Sequence, residues 1–108
     1  MASYHHRVHI FIPVEEKDTA NTFAAGMDWD TGGNQTFDKA LRYSADGQEP
    51  ATHLAVSTQM ADDIFTLLPD AINQVTGAVY YELEQGWTWE QAATDLGLQQ
   101  IILPPEEP

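Results

Sequence analysis

The sequence predicts a single α+β domain built on an antiparallel sheet, and three observations lead to that prediction. Short runs in which apolar residues alternate with other residues recur along the chain, as is typical of strands. Between them lie segments with the i, i+3, i+4 spacing of apolar residues that characterises helices packed on one side. The chain has 108 residues, which is the length of one domain. We therefore expect a single domain over residues 1–108.

The central element is a predicted strand over residues 7–14. On one face it carries Val8, Ile10, Ile12 and Val14, and on the other Arg7, His9, Phe11 and Pro13. The second of these faces is only partly polar, which favours a position in the interior of the sheet. Residues 1–6 are predicted to form a loose arm.

The first helix is predicted to begin at an Asp18 cap and to be short. Its apolar stripe would be Ala20, Phe23, Ala24 and Met27. Residues 28–35 have the composition of a loop. Strands are predicted over residues 37–44 and 52–57, joined by a turn that contains Gly47 and Pro50.

The main helix is predicted over residues 59–76, capped by Thr58 and kinked at Pro69. Its apolar stripe is Met60, Ile64, Leu67, Leu68, Ala71 and Val75. A strand over 78–84 follows. Thr88 and Gln91 have the spacing of a capping box, which predicts a last helix that ends at Gly97. A short strand over 98–103 and an acidic tail over 104–108 complete the chain.

This order is β-α-β-β-α-β followed by α-β, and its first six elements match the ferredoxin-like arrangement. Right-handed crossovers then place both helices on one face of the sheet, with the strands in the order four, one, three, two. We therefore predict helices on one face only, together with a C-terminal αβ extension whose position the sequence leaves open.

The charge balance limits the possible partners. Seventeen acidic residues and four basic residues give a formal net charge of −13. Nucleic acid and anionic membranes are therefore disfavoured as partners, since both require a basic surface. The acidity indicates a well-hydrated surface or a salty habitat, a mimic of nucleic acid, or a site for cations.

The sequence lacks three features that would indicate a secreted or membrane protein. The sequence contains no cysteine, which excludes disulfides and thiolate chemistry. No apolar run approaches the ~18 residues of a membrane helix, and no signal-peptide pattern is found. We expect a soluble cytoplasmic protein without a cofactor.

The face left open by the two helices is the predicted working surface. It would carry Arg7, His9, Phe11, His53, Ala55, Ser57, Tyr80, Glu82 and Glu84. This set is too apolar for a face left wholly in water. It predicts a homodimer packed face to face, as in dimeric α-β barrels, or a pocket for a small-molecule ligand. The last helix or the last strand could also fold over this face.

Catalytic candidates lie on the same face. Ser57, His9 and Glu82 could form a row across three strands, which would place a nucleophile, a base and a carboxylate in order. In a simpler version, Glu82 orients His9 as a general base. Ordinary cross-strand pairing explains the same residues without any chemistry.

Metal sites receive little support from the sequence. His5, His6 and His9 alternate between faces of the strand and so do not converge. Asp28 and Asp30 occupy the first and third positions of a calcium-like loop, but the loop departs from that pattern at its fifth and twelfth positions. A glycine-rich turn is the better interpretation, and no metal is predicted.

Three functional hypotheses remain. The leading one is a homodimeric or partner-binding module that acts through the open face without catalysis. The first alternative is a small-molecule enzyme of the dimeric α-β barrel type, with His9, Tyr80 and Glu82 lining its pocket. The second alternative is an acidic inhibitor that mimics nucleic acid.

Overall fold

The structure is a computed structural model that describes residues 6–25, 29–30, 37, 40–83 and 86–102. The elements in chain order are β1 (His6–Pro13), a 3-10 turn (Val14–Glu16), α1 (Lys17–Ala25), β2 (Trp29–Asp30), β3 (Leu41–Ser44), β4 (His53–Met60), α2 (Asp62–Asn73), β5 (Val79–Glu82), α3 (Trp89–Asp95) and β6 (Gln99–Gln100). In the described part of the chain no helix has both the length and the apolar character needed to cross a bilayer.

The strands form one open antiparallel sheet in the order β5-β1-β4-β3-β6, and β2 pairs with the far end of β4. The predicted α+β class with an antiparallel sheet is confirmed. As predicted, β1 lies in the interior, where it pairs with β4 along its whole length and with β5 over residues 8–11. It begins at His6, so the predicted arm is one residue too long. The rest of that arm and the acidic tail lie outside the described residues.

Two hydrophobic cores lie on opposite faces of the sheet. On the first face, Val8, Ile10 and Ile12 of β1 pack with residues of β4, α1 and α2. On the second face, Phe11 and Ala55 pack with Tyr43, with Ala92 and Ala93 of α3, and with Leu98. Helices α1 and α2 therefore share a face as predicted, but α3 covers the middle of the other.

This placement of α3 corrects the expectation of an open face. Phe11 and Ala55 are fully buried beneath α3. The physical reason is that α3 has an apolar side of its own and needs a surface to cover it. Burying a side chain the size of Phe11 contributes about 1.5–3 kcal/mol, which favours docking of the helix over leaving the face in water.

The main helix is shorter than predicted. It begins at Asp62 after an Ala61 cap, because Thr58, the predicted cap, continues β4 opposite Val8. The helix runs through Pro69 to Asn73. Leu67, placed in the predicted core stripe, is instead 55% exposed.

The second predicted strand also starts late, at Leu41. Phe37 lies outside it, and its backbone N–H donates to Asn21 Oδ1 at 2.6 Å. Phe37 belongs to the core of the first face and Tyr43 to that of the second. The alternation counted from residue 37 to residue 43 therefore does not describe one strand.

The predicted ends of a helix agree with the structure where a local capping motif determines them, as in α3. The Thr88 hydroxyl accepts from the Gln91 N–H at 3.2 Å, and the Gln91 side-chain oxygen accepts from the Thr88 N–H at 3.3 Å. Gly97, with φ of +72°, ends the last helix as predicted. Helix α1 instead starts at Lys17, directly after the 3-10 turn, which places Asp18 in its first turn.

Candidate functional site

The predicted row of Ser57, His9 and Glu82 is not formed. His9 lies opposite Ser57 of β4, as expected, but its partner on β5 is Tyr81. Glu82 pairs with Val8 and therefore shares the first face. Tyr80 lies opposite Ile10 and packs against the first core. The faces of β5 are thus inverted relative to the prediction, and neither Tyr80 nor Glu82 can line a pocket with His9.

The other residues of the predicted working surface are separated by α3. Arg7, opposite Gln59 near the start of β1, and Ser57 are exposed. His53 is half-buried opposite Pro13 at the far end of β1, away from His9 as expected. Phe11 and Ala55, which are buried under α3, separate His53 from Arg7 and Ser57, so these side chains do not form one continuous surface.

His9 is a neutral, enclosed imidazole. Its side chain is 4% exposed, and the ring packs against the Trp89 ring with centroids 3.9 Å apart. Burial lowers the pKa of His9, and the Arg7 charge lowers it further. Its Nδ1 atom is buried and has no hydrogen-bond partner among the described residues. The indole of Trp89 therefore covers one face of this candidate base.

A second histidine forms a cluster that the sequence did not indicate. His6 Nδ1 lies 2.8 Å from Glu82 Oε2, and His6 Nε2 lies 2.5 Å from Asp62 Oδ1. The imidazole stacks on Phe65 with centroids 4.0 Å apart and planes 3° apart. The hydrogen bond to Glu82 raises the pKa of His6 against the opposing effect of desolvation, and Asp62 raises it further.

The His6 cluster joins three elements of the fold through its two hydrogen bonds. Both ring nitrogens are already engaged, so the imidazole has no free atom for a substrate proton. The two nitrogens point in different directions, so Asp62 and Glu82 cannot join His6 around one ion. Among the described residues no group of three potential ligands could hold a metal. The cluster links β1, α2 and β5.

The calcium-like loop is only partly described. Asp28 lies outside the described residues. Asp30 belongs to β2, where its backbone pairs with Gln59 in the antiparallel ladder. The sequence predicted a loop over residues 28–35, and the two-residue strand β2 replaces part of it.

A concave surface lies between α3 and β6, and we call it the α3–β6 cavity. Its volume is about 300 Å³. It is lined by Tyr43, Trp89, Glu90, Ala93, Thr94, Leu98, Gln99 and Gln100. A wider groove of about 470 Å³ on the same helix is lined by Trp87, Glu90, Gln91, Thr94 and Asp95.

The cavity arises from the way the chain leaves α3. The turn at Gly97 is held by a bond of 2.8 Å from the Leu98 N–H to the Ala93 carbonyl. Strand β6 then pairs with β3 at the sheet edge, Gln100 opposite Tyr43. A gap remains between this edge and the helix. The sequence placed a strand here but gave no signal of a cavity, because the gap depends on where α3 docks.

The cavity is aromatic at its base and acidic at its rim. The Tyr43 and Trp89 rings are 25° from parallel, with centroids 6.4 Å apart. Glu90 is exposed, and it contributes the one charge among the described residues that line the cavity. Comparisons with protein-family models, with curated proteins and with solved structures find no match to this chain.

Proposed function

We propose that this protein is a non-catalytic binding module that takes its partner at the α3–β6 cavity. The observation that carries the proposal is the cavity itself, in which the buried Tyr43 ring and the half-buried Trp89 ring meet a rim of carboxylate, amide and hydroxyl groups. Apolar pockets with a few polar groups are the usual form of a binding site.

The catalytic alternative has less support. Its base, His9, is covered by Trp89, and its orienting carboxylate, Glu82, lies on the opposite face of the sheet. The His6 cluster does not replace it, since both ring nitrogens are bound to carboxylates. A binding role requires no such group and fits the arrangement better.

The proposal keeps the partner-binding half of the leading hypothesis and changes the surface. A face-to-face homodimer depended on an open apolar face, and α3 buries Phe11 and Ala55 at its centre.

Mimicry of nucleic acid would require carboxylates gathered on one surface. The described carboxylates are instead distributed over the 3-10 turn, all three helices, β5 and the loop after β3, which favours general hydration of the surface.

We also propose that the fold is an extended variant of the ferredoxin-like arrangement. With β2 set aside, the sheet order corresponds to the fourth, first, third, second and fifth strands of the chain. The first four positions follow the ferredoxin-like order. The fifth strand, β6, lengthens the sheet edge beside the second and so departs from the four-stranded pattern.

The proposed site is tested by a fragment screen followed by two-dimensional NMR. The screen uses a mixed set of neutral, cationic and anionic fragments, and amide shifts report where each one binds. We expect the hits to shift Ala93, Thr94, Gln99 and Gln100. Hits that centre on another surface, or a screen without hits at these amides, would overturn the proposal.

Two variants make the test specific. Thr94→Phe places a ring at the rim of the cavity, and Thr66→Phe makes the same change at an exposed position on α2. Hits should be lost in the first variant and kept in the second. Equal binding to both would show that the shifts do not report occupation of the cavity.

A further inference from the structure

We propose that the α3–β6 cavity accepts a positively charged side chain, a guanidinium or an ammonium group, from a basic partner. This inference rests on the proposed function and adds the chemical class of the occupant. It joins two observations: the charge of the residues that line the cavity and the aromatic rings among them.

The charge of the cavity favours a cation. Its described lining contains Glu90 and no basic residue. Of the four basic residues in the chain, Arg42 is already paired with Glu49. With a net charge of −13, the protein attracts cations to an acidic concave surface and repels anions.

The aromatic lining suits the flat or compact head of a basic side chain. A cation within about 6 Å of the centre of an indole or phenol ring is attracted by the electrons of the ring face. Trp89 and Tyr43 both line the cavity. The volume of about 300 Å³ lies at the lower end for ligand pockets and therefore fits one side chain better than a large ligand.

The amide of Gln99 is anchored at the edge of the cavity. The Gln99 side-chain nitrogen donates to the Ala45 carbonyl at 3.3 Å. A carbonyl oxygen can only accept, so this bond fixes which end of the amide is the nitrogen. The Gln99 oxygen lies beside the turn at Gly47, 3.5 Å from the position that a Cβ there would take. The wider groove beside the cavity shares Glu90 and adds Asp95, so a partner with several basic residues fits the whole surface.

The test compares two nearly isosteric probes, N-acetyl-arginine amide and N-acetyl-citrulline amide, by NMR titration. The citrulline side chain has the same shape as arginine but carries no charge. We expect arginine to shift the cavity amides and to bind at least ~3-fold more tightly than citrulline at low salt. This advantage should shrink as salt screens the exposed charges.

Glu90→Gln and Glu15→Gln provide a matched pair of variants. Both make the same chemical change and remove one negative charge, but Glu15 lies in the exposed 3-10 turn before α1. An exposed ion pair typically contributes about 0.2–1 kcal/mol, so Glu90→Gln should weaken arginine binding by up to about five-fold. Glu15→Gln should leave it nearly unchanged.

Each outcome separates this inference from the proposed function. Equal binding of arginine and citrulline at the cavity, or equal effects of the two variants, would overturn the preference for a cation and leave the binding site standing. The same holds if only neutral or anionic fragments bind there. If neither the probes nor the fragments shift the cavity amides, both proposals fail.

Discussion

Replacing His9 with phenylalanine should stabilise the protein, and the gain should grow as the pH falls. The wild-type imidazole is 4% exposed, and its Nδ1 is buried with no hydrogen-bond partner in the part of the chain that the structure describes. An unsatisfied buried polar atom costs about 1–3 kcal/mol. Phenylalanine keeps an aromatic ring against Trp89 and removes this atom, at some cost for its larger ring. We expect a net gain of about 1 kcal/mol in the free energy of unfolding near neutral pH.

The pH dependence follows from the direction of the pKa shift. Burial lowers the pKa of His9 in the folded protein below its ordinary value of 6.5. As the pH falls through 6.5, the unfolded chain binds a proton that the folded chain does not. The free energy of unfolding of the wild type should therefore fall by up to about 1.4 kcal/mol per pH unit, until the pH reaches the folded-state pKa of His9. The phenylalanine variant lacks this loss.

Urea unfolding followed by circular dichroism at pH 5.5 and pH 7.5 measures both effects. The relevant quantity is the difference between variant and wild type at each pH, because all other titrating groups cancel in it. A difference that is the same at both values would refute the enclosed, neutral state of His9. A variant less stable than wild type at both would show that Nδ1 is satisfied or that the ring does not fit.

Three further substitutions test the fold. His6→Gln should destabilise the protein by up to about 1 kcal/mol near pH 6. Because the folded-state pKa of His6 is raised, this loss of stability should fade as the pH rises through that pKa. Urea unfolding that shows no such trend would contradict a stabilising role for the His6 cluster. Phe11→Ala should lower the free energy of unfolding by about 3–5 kcal/mol and make the second face accessible to a hydrophobic dye. A loss under 1 kcal/mol would mean that α3 does not cover that face. Thr88→Ala should lower the free energy of unfolding by about 1 kcal/mol, because it removes the α3 cap. Thr94→Ala, on the exposed side of the same helix, should lower it less, and thermal unfolding of both variants measures the difference.

The sequence predicted the elements whose signals are local. Strand β1 was predicted because its β-branched residues alternate over most of its length, and its interior position followed from its mixed second face. Helix α3 was predicted because Thr88 and Gln91 form a capping box, which depends only on neighbouring residues. Such signals do not depend on how the rest of the chain folds.

The candidate site was not predictable in the same way. Both faces of β5 carry a tyrosine, so alternation could not decide whether Tyr80 or Tyr81 shares a face with His9. The apolar side of α3 showed that the helix packs but not on which surface. The His6 cluster joins residues 56 and 76 positions apart in the chain, and no local pattern indicates such a contact.

The position of Trp89 connects binding to folding and leads to a last prediction. Its ring packs on His9 and against the second core, and it also lines the α3–β6 cavity. A ligand that contacts this ring binds only while α3 is docked, so binding and docking are linked. At a concentration of 100 times its dissociation constant, such a ligand should add about 2.7 kcal/mol to the stability of the docked state.

Amide hydrogen exchange with and without the arginine probe measures this linkage. Backbone amides near the end of α3, such as those of Leu96 and Leu98, which donate to carbonyls of the helix, should exchange more slowly when the probe is bound. Amides of α2 should change less, because that helix packs on the opposite face of the sheet. Equal slowing in both helices would mean that α3 opens only with global unfolding. Unchanged exchange in α3, with the probe bound at the cavity, would show that Trp89 does not couple the site to the core.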